Sequence, residues 1–184
     1  MRDLSLHILD LMQNSIRAQA KVVSLSVLLK ENGILSIIIE DDGTGMSEEL
    51  LARVTSPFAT TRTTRKVGLG IPMMAENCRL AGGDLTLEST VGKGTRLTAT
   101  LNTASIDCLP LGDLASTMAT IIMGSPDRPE FSLRCASPSG EMDFSTEQIR
   151  AALDGVSLAE PAVVQWIQES LQEEIEPILG GIMS

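Results

Sequence analysis

Residues 34–47 read "ILSIIIEDDGTGMS" and contain the pattern that decides the fold. The first seven residues are mostly aliphatic and β-branched, which is typical of a buried strand. Asp41 and Asp42 follow, and they run directly into a Gly-x-Gly turn. A carboxylate at the end of a buried strand either faces solvent in an ordinary turn or recognises a ligand. The surrounding sequence has to decide between these two interpretations.

Residues 4–20 have the periodicity of an amphipathic helix. One side of that helix is apolar and consists of Leu4, Ile8, Leu11, Met12 and Ile16. A narrow polar stripe runs along another side and consists of His7, Asp10, Asn14 and Arg17. Spacings of three and four residues place these side chains above one another. The stripe is either the solvated face of the helix or the lining of a site.

Strands and helices alternate through the first hundred residues. Strands are expected at 21–30, 34–40, 84–90 and 94–102, and helices at 47–54 and 69–83. Residues 55–68 are rich in Thr and Arg without a period, which predicts a long loop. Because both strand pairs are hairpins, we expect an α+β fold, a two-layer α/β sandwich whose mixed sheet has helices on one face.

The chain changes character after residue 105. Residues 1–105 contain 11 basic and 11 acidic residues, whereas 106–184 contain 3 basic and 13 acidic residues. Helices are expected at 113–124, 145–153 and 158–176, with two strands between 130 and 145. We therefore predict two regions, 1–105 and 106–184, the second a small acidic α/β region. It is either a docking domain or an edge extension of the first sheet.

Composition excludes several classes of function. The 184 residues are 43% apolar but only 2% aromatic, so stacking surfaces for nucleic acid are not expected. Three widely spaced cysteines indicate neither a zinc site nor a disulfide framework. No signal peptide and no apolar stretch long enough for a bilayer is found. We expect a cytoplasmic protein that binds neither nucleic acid nor membrane.

Four short motifs occur in order along the chain. They are "DLMQNS" at 10–15, "DDGTGM" at 41–46, "PFATTR" at 57–62, and "GLG" at 68–70 followed by "GKGT" at 92–95. Together they resemble the ATP-binding (Bergerat) fold of the GHKL superfamily, which includes gyrase B, sensor histidine kinases and mismatch-repair ATPases. The resemblance covers about residues 4–102 and implies ATP and Mg²⁺ as ligands. It is nearest to short bacterial histidine-kinase-like proteins with a C-terminal extension.

The resemblance assigns the recognition of adenine to the second and last motifs. Asp41 would accept a hydrogen bond from the exocyclic amine of the base, and Thr95 would assist through its hydroxyl. Gly43 and Gly45 would let the backbone approach the base without a Cβ clash, and Met46 belongs to the same turn. A buried carboxylate left unpaired is costly, which makes it selective for a base that carries an amine there.

The resemblance also assigns residues to the phosphates and the metal. Asn14 would give its side-chain oxygen to Mg²⁺. The loop "FATTRTTRKVGLG" resembles the ATP lid of the family, in which cationic side chains neutralise phosphates and glycine amides open a helix. The expected binding residues of this segment are Thr61, Arg62, Lys66, Gly68, Leu69 and Gly70. Lys66 stands where the family often has a glycine.

Asp10 is the candidate catalytic residue. The hydrolytic members of the family have Glu four residues before the Asn as general base, and this chain has the shorter Asp. A general base contributes about 10²–10⁴-fold to rate. The shorter side chain therefore implies slow hydrolysis, or the activation of a group on another protein. The competing interpretation is a plain charge near the helix start.

His7 is the only histidine of the chain and lies inside the expected nucleotide-binding helix. Autophosphorylation on a dedicated histidine is therefore not expected. Two functions fit best: a regulatory kinase or ATPase that acts on a partner protein, or an ATP-gated interaction module with little turnover. A third is a metabolic regulator that docks through its acidic region.

The apolar face around Val163, Trp166, Ile167 and Leu171 either packs internally or forms a homodimer contact.

Overall fold

The computed structural model describes residues 2–55 and 69–184. The helices in these ranges are α1 (Leu4–Arg17), α2 (Glu48–Thr55), α3 (Gly70–Leu80), α4 (Leu114–Gly124), α5 (Thr146–Leu153) and α6 (Pro161–Leu179). The strands are β1 (Val22–Leu29), β2 (Ile34–Asp41), β3 (Leu85–Thr90), β4 (Gly94–Asn102), β5 (Glu130–Ser137) and β6 (Gly140–Ser145). None of these helices combines the length and the apolar character needed to cross a bilayer.

The six strands form one mixed sheet in the order β3-β4-β2-β1-β5-β6. Every neighbouring pair is antiparallel except β1 and β5, which are parallel. The register sets Leu25 of β1 opposite both Ile39 of β2 and Leu133 of β5, so the apolar positions share one face. Helices α1, α3, α4 and α6 add buried residues to the core on that face. The predicted α+β fold with a mixed sheet is confirmed.

Helix α1 lies at the centre of the helical layer. Leu4, Ile8 and Met12 are fully buried, and α1 packs against α3, α4 and the sheet. The Asp3 side chain caps its start by accepting a hydrogen bond from the Leu6 amide at 3.0 Å. The amides of Leu4 and Ser5 donate to carbonyls far along the chain, at 110 and 111, at 2.9 and 2.8 Å. These contacts satisfy donors that a helix start leaves unpaired.

The acidic region 106–184 extends the first sheet at its edge. Strand β5 pairs with β1, and one apolar core includes residues from both parts of the chain. Its last residues return to the start of α1, since the amides of Leu111 and Gly112 donate to the carbonyls of Ile182 and Met183 at 2.7 and 3.1 Å. Of the two arrangements left open by the sequence, the edge extension is the one found. The division into two units at 105 stays a prediction.

Several helix ends differ from the expected ones by up to three residues, and two of them have a plain physical reason. The first helix ends at Arg17 rather than at 20, because Ala18 terminates it and Gln19 adopts a positive φ of 57°. The last helix begins at Pro161, since a proline suits the first turn, where its missing N–H is not needed. Its buried face includes Val163, Ile167 and Leu171, so these three residues pack internally, which is one of the two alternatives left open for this face. The Trp166 side chain points outward and is 51% exposed.

We expect a chain truncated after residue 105 to lose its cooperative fold. Truncation removes α4 from the side of α1, β5 from the edge of β1, and the carbonyls that cap α1. Each large apolar side chain uncovered costs about 1.5–3 kcal/mol, and a few of them exceed the usual total stability of about 5–15 kcal/mol. Thermal unfolding followed by circular dichroism, compared with the full chain, measures this. A fragment that melts cooperatively within about 5 °C of the full chain would establish residues 1–105 as an independent unit.

Candidate functional site

The Asp41 carboxylate lies at the end of β2 and is held from two directions. Its Oδ2 accepts a hydrogen bond from the Ser15 hydroxyl of α1 at 2.5 Å. Its Oδ1 accepts from the Gly43 amide of the following turn at 2.9 Å. Charge-assisted bonds of this kind fix an orientation strongly. The carboxylate is therefore a preset acceptor that lines a cavity rather than a loose surface charge.

That cavity lies between α1, β2 and the β3–β4 hairpin and has a volume of about 260 Å³. Its walls are mainly aliphatic, and Asp41 is the carboxylate among them. The apolar lining consists of Leu11, Ala18, Ile39, Met46, Leu50, Ile71, Leu87 and Leu97. Ligand cavities usually measure about 300–1,000 Å³, so this one suits a flat apolar ring rather than a whole nucleotide. An amine on the edge of such a ring would complete the bonding of Asp41.

Thr95 lies directly beside Asp41 on the neighbouring strand, because the register of β2 and β4 pairs the two residues. The hydroxyls of Thr95 and Ser89 are hydrogen-bonded at 2.9 Å, and Ser89 also donates to the Gly94 carbonyl at 3.0 Å. A serine has one proton to give, so Thr95 is the donor to Ser89 and keeps its own lone pairs for the cavity. The Met46 amide donates to the same Ser89 oxygen at 2.8 Å, which ties the turn to the hairpin.

Gly43 and Gly45 are required by the fit of the turn itself, and their expected approach to a base stays a prediction. A Cβ on Gly43 would lie 2.7 Å from the Ala18 carbonyl oxygen, and one on Gly45 would overlap the Thr90 carbonyl. The position that a Cβ would take is thus occupied by protein backbone at both glycines. Gly45 also has a φ of +68°, which side-chain residues rarely adopt. These glycines let the turn fit between α1 and the hairpin.

Asn14 lies on the α1 wall of the cavity beside Arg17. The Arg17 guanidinium donates to Asn14 Oδ1 at 2.8 Å, so the oxygen expected to bind a metal has a cationic partner next to it. An amide oxygen suits Mg²⁺. Within residues 2–55 and 69–184, no cluster of three or more acidic, His or Cys side chains could hold a metal. A cation at Asn14 would therefore take most of its ligands from a bound phosphate and water.

Asp10 lies one turn before Asn14 and contacts the start of α3. A Cβ on Gly70 would overlap the Asp10 carboxylate in its present position, so a larger residue there would push this side chain away. Gly70 is buried and Leu69, just before it, is exposed. The backbone N–H groups of a helix start point along its axis and favour an anion. The candidate base and the candidate phosphate-binding helix are thus in direct contact.

His7 is only 1% exposed, although it belongs to the polar stripe. Its Nε2 is hydrogen-bonded to the Asn77 amide nitrogen of α3 at 2.9 Å. Burial lowers the pKa of the imidazole, which favours its neutral form. Asp10 and Asn14 are half-buried and only Arg17 is exposed, so most of the stripe is not a solvated face. It joins α1 to α3 and to the cavity.

Asp42, the second carboxylate of the turn, lies outside the cavity. Its side chain is exposed, and Oδ1 accepts hydrogen bonds from the amides of Val22 and Lys21 at 3.0 and 2.7 Å. These bonds, that from Val22 foremost, lower the pKa of the carboxyl. Asp42 therefore fixes the start of β1, whereas its neighbour Asp41 faces the cavity.

Four expected binding residues lie outside the described part of the chain, namely Thr61, Arg62, Lys66 and Gly68. Their roles stay predictions. Asn14, Asp41, Gly45, Met46 and Thr95 all line the one cavity. Gly43 adjoins it through its bond to Asp41.

Ser15 and Ser89 are polar residues of the site to which the sequence motifs assigned no role. Ser15 is buried on the apolar side of α1, and its position directly after Asn14 was the available signal. Ser89 lies in a strand of alternating exposure and carries no motif. In both cases the partner is distant in sequence or across a turn.

A larger groove of about 650 Å³ lies along α6. It is lined mostly by Gln and Glu side chains, such as Gln165 and Glu169, and by Asp113 and Met183. It is open and offers no acceptor fixed from two sides as Asp41 is. The smaller cavity is therefore the better candidate site.

We expect Ser15→Ala to destabilise the protein by about 1–2 kcal/mol, because the buried hydroxyl is a charge-assisted donor to Asp41. Urea unfolding measures the change in free energy. Ser26→Ala is the matched control, since Ser26 lies half-buried in β1, and its effect should stay within about 0.5 kcal/mol. Equal effects of the two substitutions would show that the Ser15 bond does not hold Asp41.

The first part of the chain is similar to known proteins. Residues 2–105 match the family described as histidine kinase-, DNA gyrase B- and HSP90-like ATPase. The histidine protein kinase DivJ of Caulobacter vibrioides is 29% identical over 99 residues, which cover 51% of this chain and 17% of that protein. Sporulation kinase C of Bacillus subtilis is 33% identical over 88 residues, or 47% of this chain and 20% of that protein.

The chain thus spans a fifth or less of the length of these curated relatives. Among solved structures, the N-terminal domain of a DNA repair protein superposes with a TM-score of 0.47 at 18% identity. That match covers 79% of this chain and 52% of the other.

Proposed function

Because the chain belongs to the histidine kinase-, DNA gyrase B- and HSP90-like ATPase family, with residues 2–105 as its ATP-binding domain, we propose that it binds Mg-ATP in the Asp41 cavity and acts on a partner protein. In this proposal it is a regulatory kinase or ATPase. The partner, the metal and the roles of individual residues are parts of the proposal.

The orientation of Asp41 is the observation that carries this proposal. Ser15 and Gly43 each donate to one carboxylate oxygen, and the carboxylate still lines a cavity with aliphatic walls. An adenine ring fits this combination, because its faces are apolar and its exocyclic amine donates a hydrogen bond. A base with a carbonyl at that position would oppose its lone pairs to the carboxylate.

Bound Mg-ATP would supply an activated phosphoryl group whose charge the metal partly neutralises. The chain's part is to bind and orient. Asp41 and Thr95 fix the base, Asn14 offers an oxygen to the metal, and Arg17 adds positive charge beside it. The start of α3 provides an anion-binding helix end near Asp10.

Asp10 is the group that we assign to proton transfer. Its carboxylate would accept a proton from the attacking hydroxyl, imidazole or water. It contacts the start of α3, where the end of the helix favours phosphate. A base there supplies about 10²–10⁴-fold.

The phosphoryl acceptor belongs to another molecule in this proposal. His7 is the only histidine of the chain, and it is 1% exposed and bonded to Asn77. A buried imidazole inside α1 cannot reach an incoming phosphate without unfolding the helix. The burial of His7 therefore supports transfer to a separate protein or to water.

We expect Asp41→Asn to weaken ATP binding at least about tenfold, or ~1.4 kcal/mol. The Ser15 hydroxyl, the Gly43 amide and the adenine amine would converge as donors, and asparagine replaces one acceptor oxygen by a further donor. Isothermal titration calorimetry with ATP and Mg²⁺ measures this. Asp42→Asn is the control, because Asp42 bonds to the amides at 21 and 22 outside the cavity. Unchanged affinity in Asp41→Asn would remove the basis of the proposal.

We expect Asp10→Ala to abolish turnover while ATP affinity stays within about threefold, because Asp10 is not among the residues that line the cavity. The purified chain is incubated with Mg²⁺ and γ-labelled ATP, with and without a cell extract. Label on another protein indicates a kinase, and free phosphate from the chain alone indicates an ATPase. Equal loss of binding and turnover would make Asp10 a structural residue.

The same experiment decides on the second candidate function, an ATP-gated interaction module. The one-methylene shortening from Glu to Asp at position 10 favours it, since a misplacement of about 1 Å can lower a rate by about 10²-fold. Tight ATP binding with neither label transfer nor phosphate release would support this module. A cytoplasmic location and a homodimer stay predictions.

A further inference from the structure

The hydrogen bond between His7 and Asn77 joins α1 to α3 in a buried setting. The Asn77 amide nitrogen donates to His7 Nε2 at 2.9 Å. The other ring nitrogen, Nδ1, is buried and has no hydrogen-bond partner among the described residues. Within that part of the chain, Asn77 is thus the polar contact of the ring. A buried polar group with one partner strongly prefers the geometry that keeps this partner.

The contact between Asp10 and Gly70 is the second link between the same two helices. His7 and Asp10 are three residues apart and lie on one side of α1. Gly70 and Asn77 are seven residues apart, two turns, and lie on one side of α3. The earlier residue of α1 meets the later residue of α3, so the helices run antiparallel with a contact at each end of the shared face.

Apolar packing alone does not fix how α3 lies along α1. The buried side chains of α3 are Ile71, Met74 and Cys78, which are apolar. Hydrophobic contacts are non-directional and allow small slips. A hydrogen bond tolerates much less: a slip of one helical residue, about 1.5 Å, is enough to break a 2.9 Å bond.

We propose that His7 and Asn77 are a positioning pair that fixes α3 along α1 and thereby sets the distance between the Asp10 carboxylate and the phosphate-binding start of α3. The inference rests on the proposed function, because it assigns Asp10 to proton transfer. Neither residue lines the cavity, although Ile71 of α3 does, so the pair acts mainly through Asp10 and reaches the base only through the Ile71 side chain. A displacement of about 1 Å at that point is worth up to about 10²-fold in rate.

Asn77→Leu tests the pair, since leucine is similar in size and cannot donate to the imidazole. Glu76→Leu is the matched control, because Glu76 is an exposed neighbour that pairs only with Arg79 among the described residues. We expect kcat of Asn77→Leu to fall about ten- to hundredfold, with KM and ATP affinity within about threefold of the unaltered chain. Glu76→Leu should change none of these values.

Hydrogen–deuterium exchange without nucleotide gives a readout that needs no activity. In Asn77→Leu, the amides of Met73, which donates to the Leu69 carbonyl, and of Met74 should exchange at least about tenfold faster, while the melting temperature and the exchange of β2 stay near those of the control. Faster exchange throughout the chain would instead show general destabilisation and would overturn a positioning role.

Substitutions of His7 add a rescue and an additivity test. His7→Gln keeps an oxygen able to accept from Asn77 and should retain most of the rate, whereas His7→Leu should behave like Asn77→Leu. In an Asp10→Asn background, Asn77→Leu should lower the residual rate by less than twofold, because the group being positioned is gone. A full further loss in that background would overturn the proposal.

Failure of the inference and failure of the proposed function give different results. A chain that turns over ATP with unchanged kcat in Asn77→Leu overturns the positioning pair and leaves the function intact. A chain that never binds ATP overturns the function. In that case exchange still decides whether the pair holds α3: unchanged exchange at Met73 and Met74 overturns it, and local acceleration supports it.

Discussion

Helix α1 is fixed by directional bonds at three points, and the site depends on that arrangement. Its first amides donate to carbonyls at 110 and 111, His7 bonds to Asn77 of α3, and Ser15 bonds to Asp41 of β2. Apolar burial of Leu4, Ile8 and Met12 supplies most of the stabilisation but little direction. The three polar contacts go to three different parts of the molecule, so they set the depth and the rotation of the helix. Asp10 and Asn14 take their positions from this.

The Asp41 cavity combines two features that conflict in a core of apolar residues. A carboxylate among aliphatic walls is costly to bury, and this cost is reduced because Ser15 and Gly43 donate to it before any ligand arrives. The same walls lower the local dielectric constant and strengthen every hydrogen bond made there. In the proposed function, the carboxylate would therefore discriminate sharply among bases, since a ligand that fails to donate leaves it without its last partner.

The sequence predicted those parts of the structure that depend on local pattern and short motifs. Element order and the mixed sheet follow from period and spacing. The grouping of Asn14, Asp41 and Thr95 was implied by the resemblance of the motifs, and the pairing of β2 with β4 brings the last two together. The bonds of Ser15 and His7 could not be predicted in this way, since their partners lie 26 and 70 residues away. For the same reason, the pairing of β5 with β1 was left open, as an edge strand carries no local sign of its partner.

The hydrogen bonds that residues 182 and 183 accept near the start of α1 have a consequence for the synthesis of the protein. Leu4 and Ser5 are made before the rest of this network, yet the backbone segment that accepts their hydrogen bonds is itself held by residues 182 and 183. At about 5–20 residues per second, roughly 10–40 s separate the synthesis of residue 4 from that of residue 183. The carbonyls at 110 and 111 and the neighbouring α4 are made partway through that interval, and residues 182 and 183 follow later. The position of α1, and with it that of Asp10 and Asn14, is therefore completed only once this whole stretch has been synthesised.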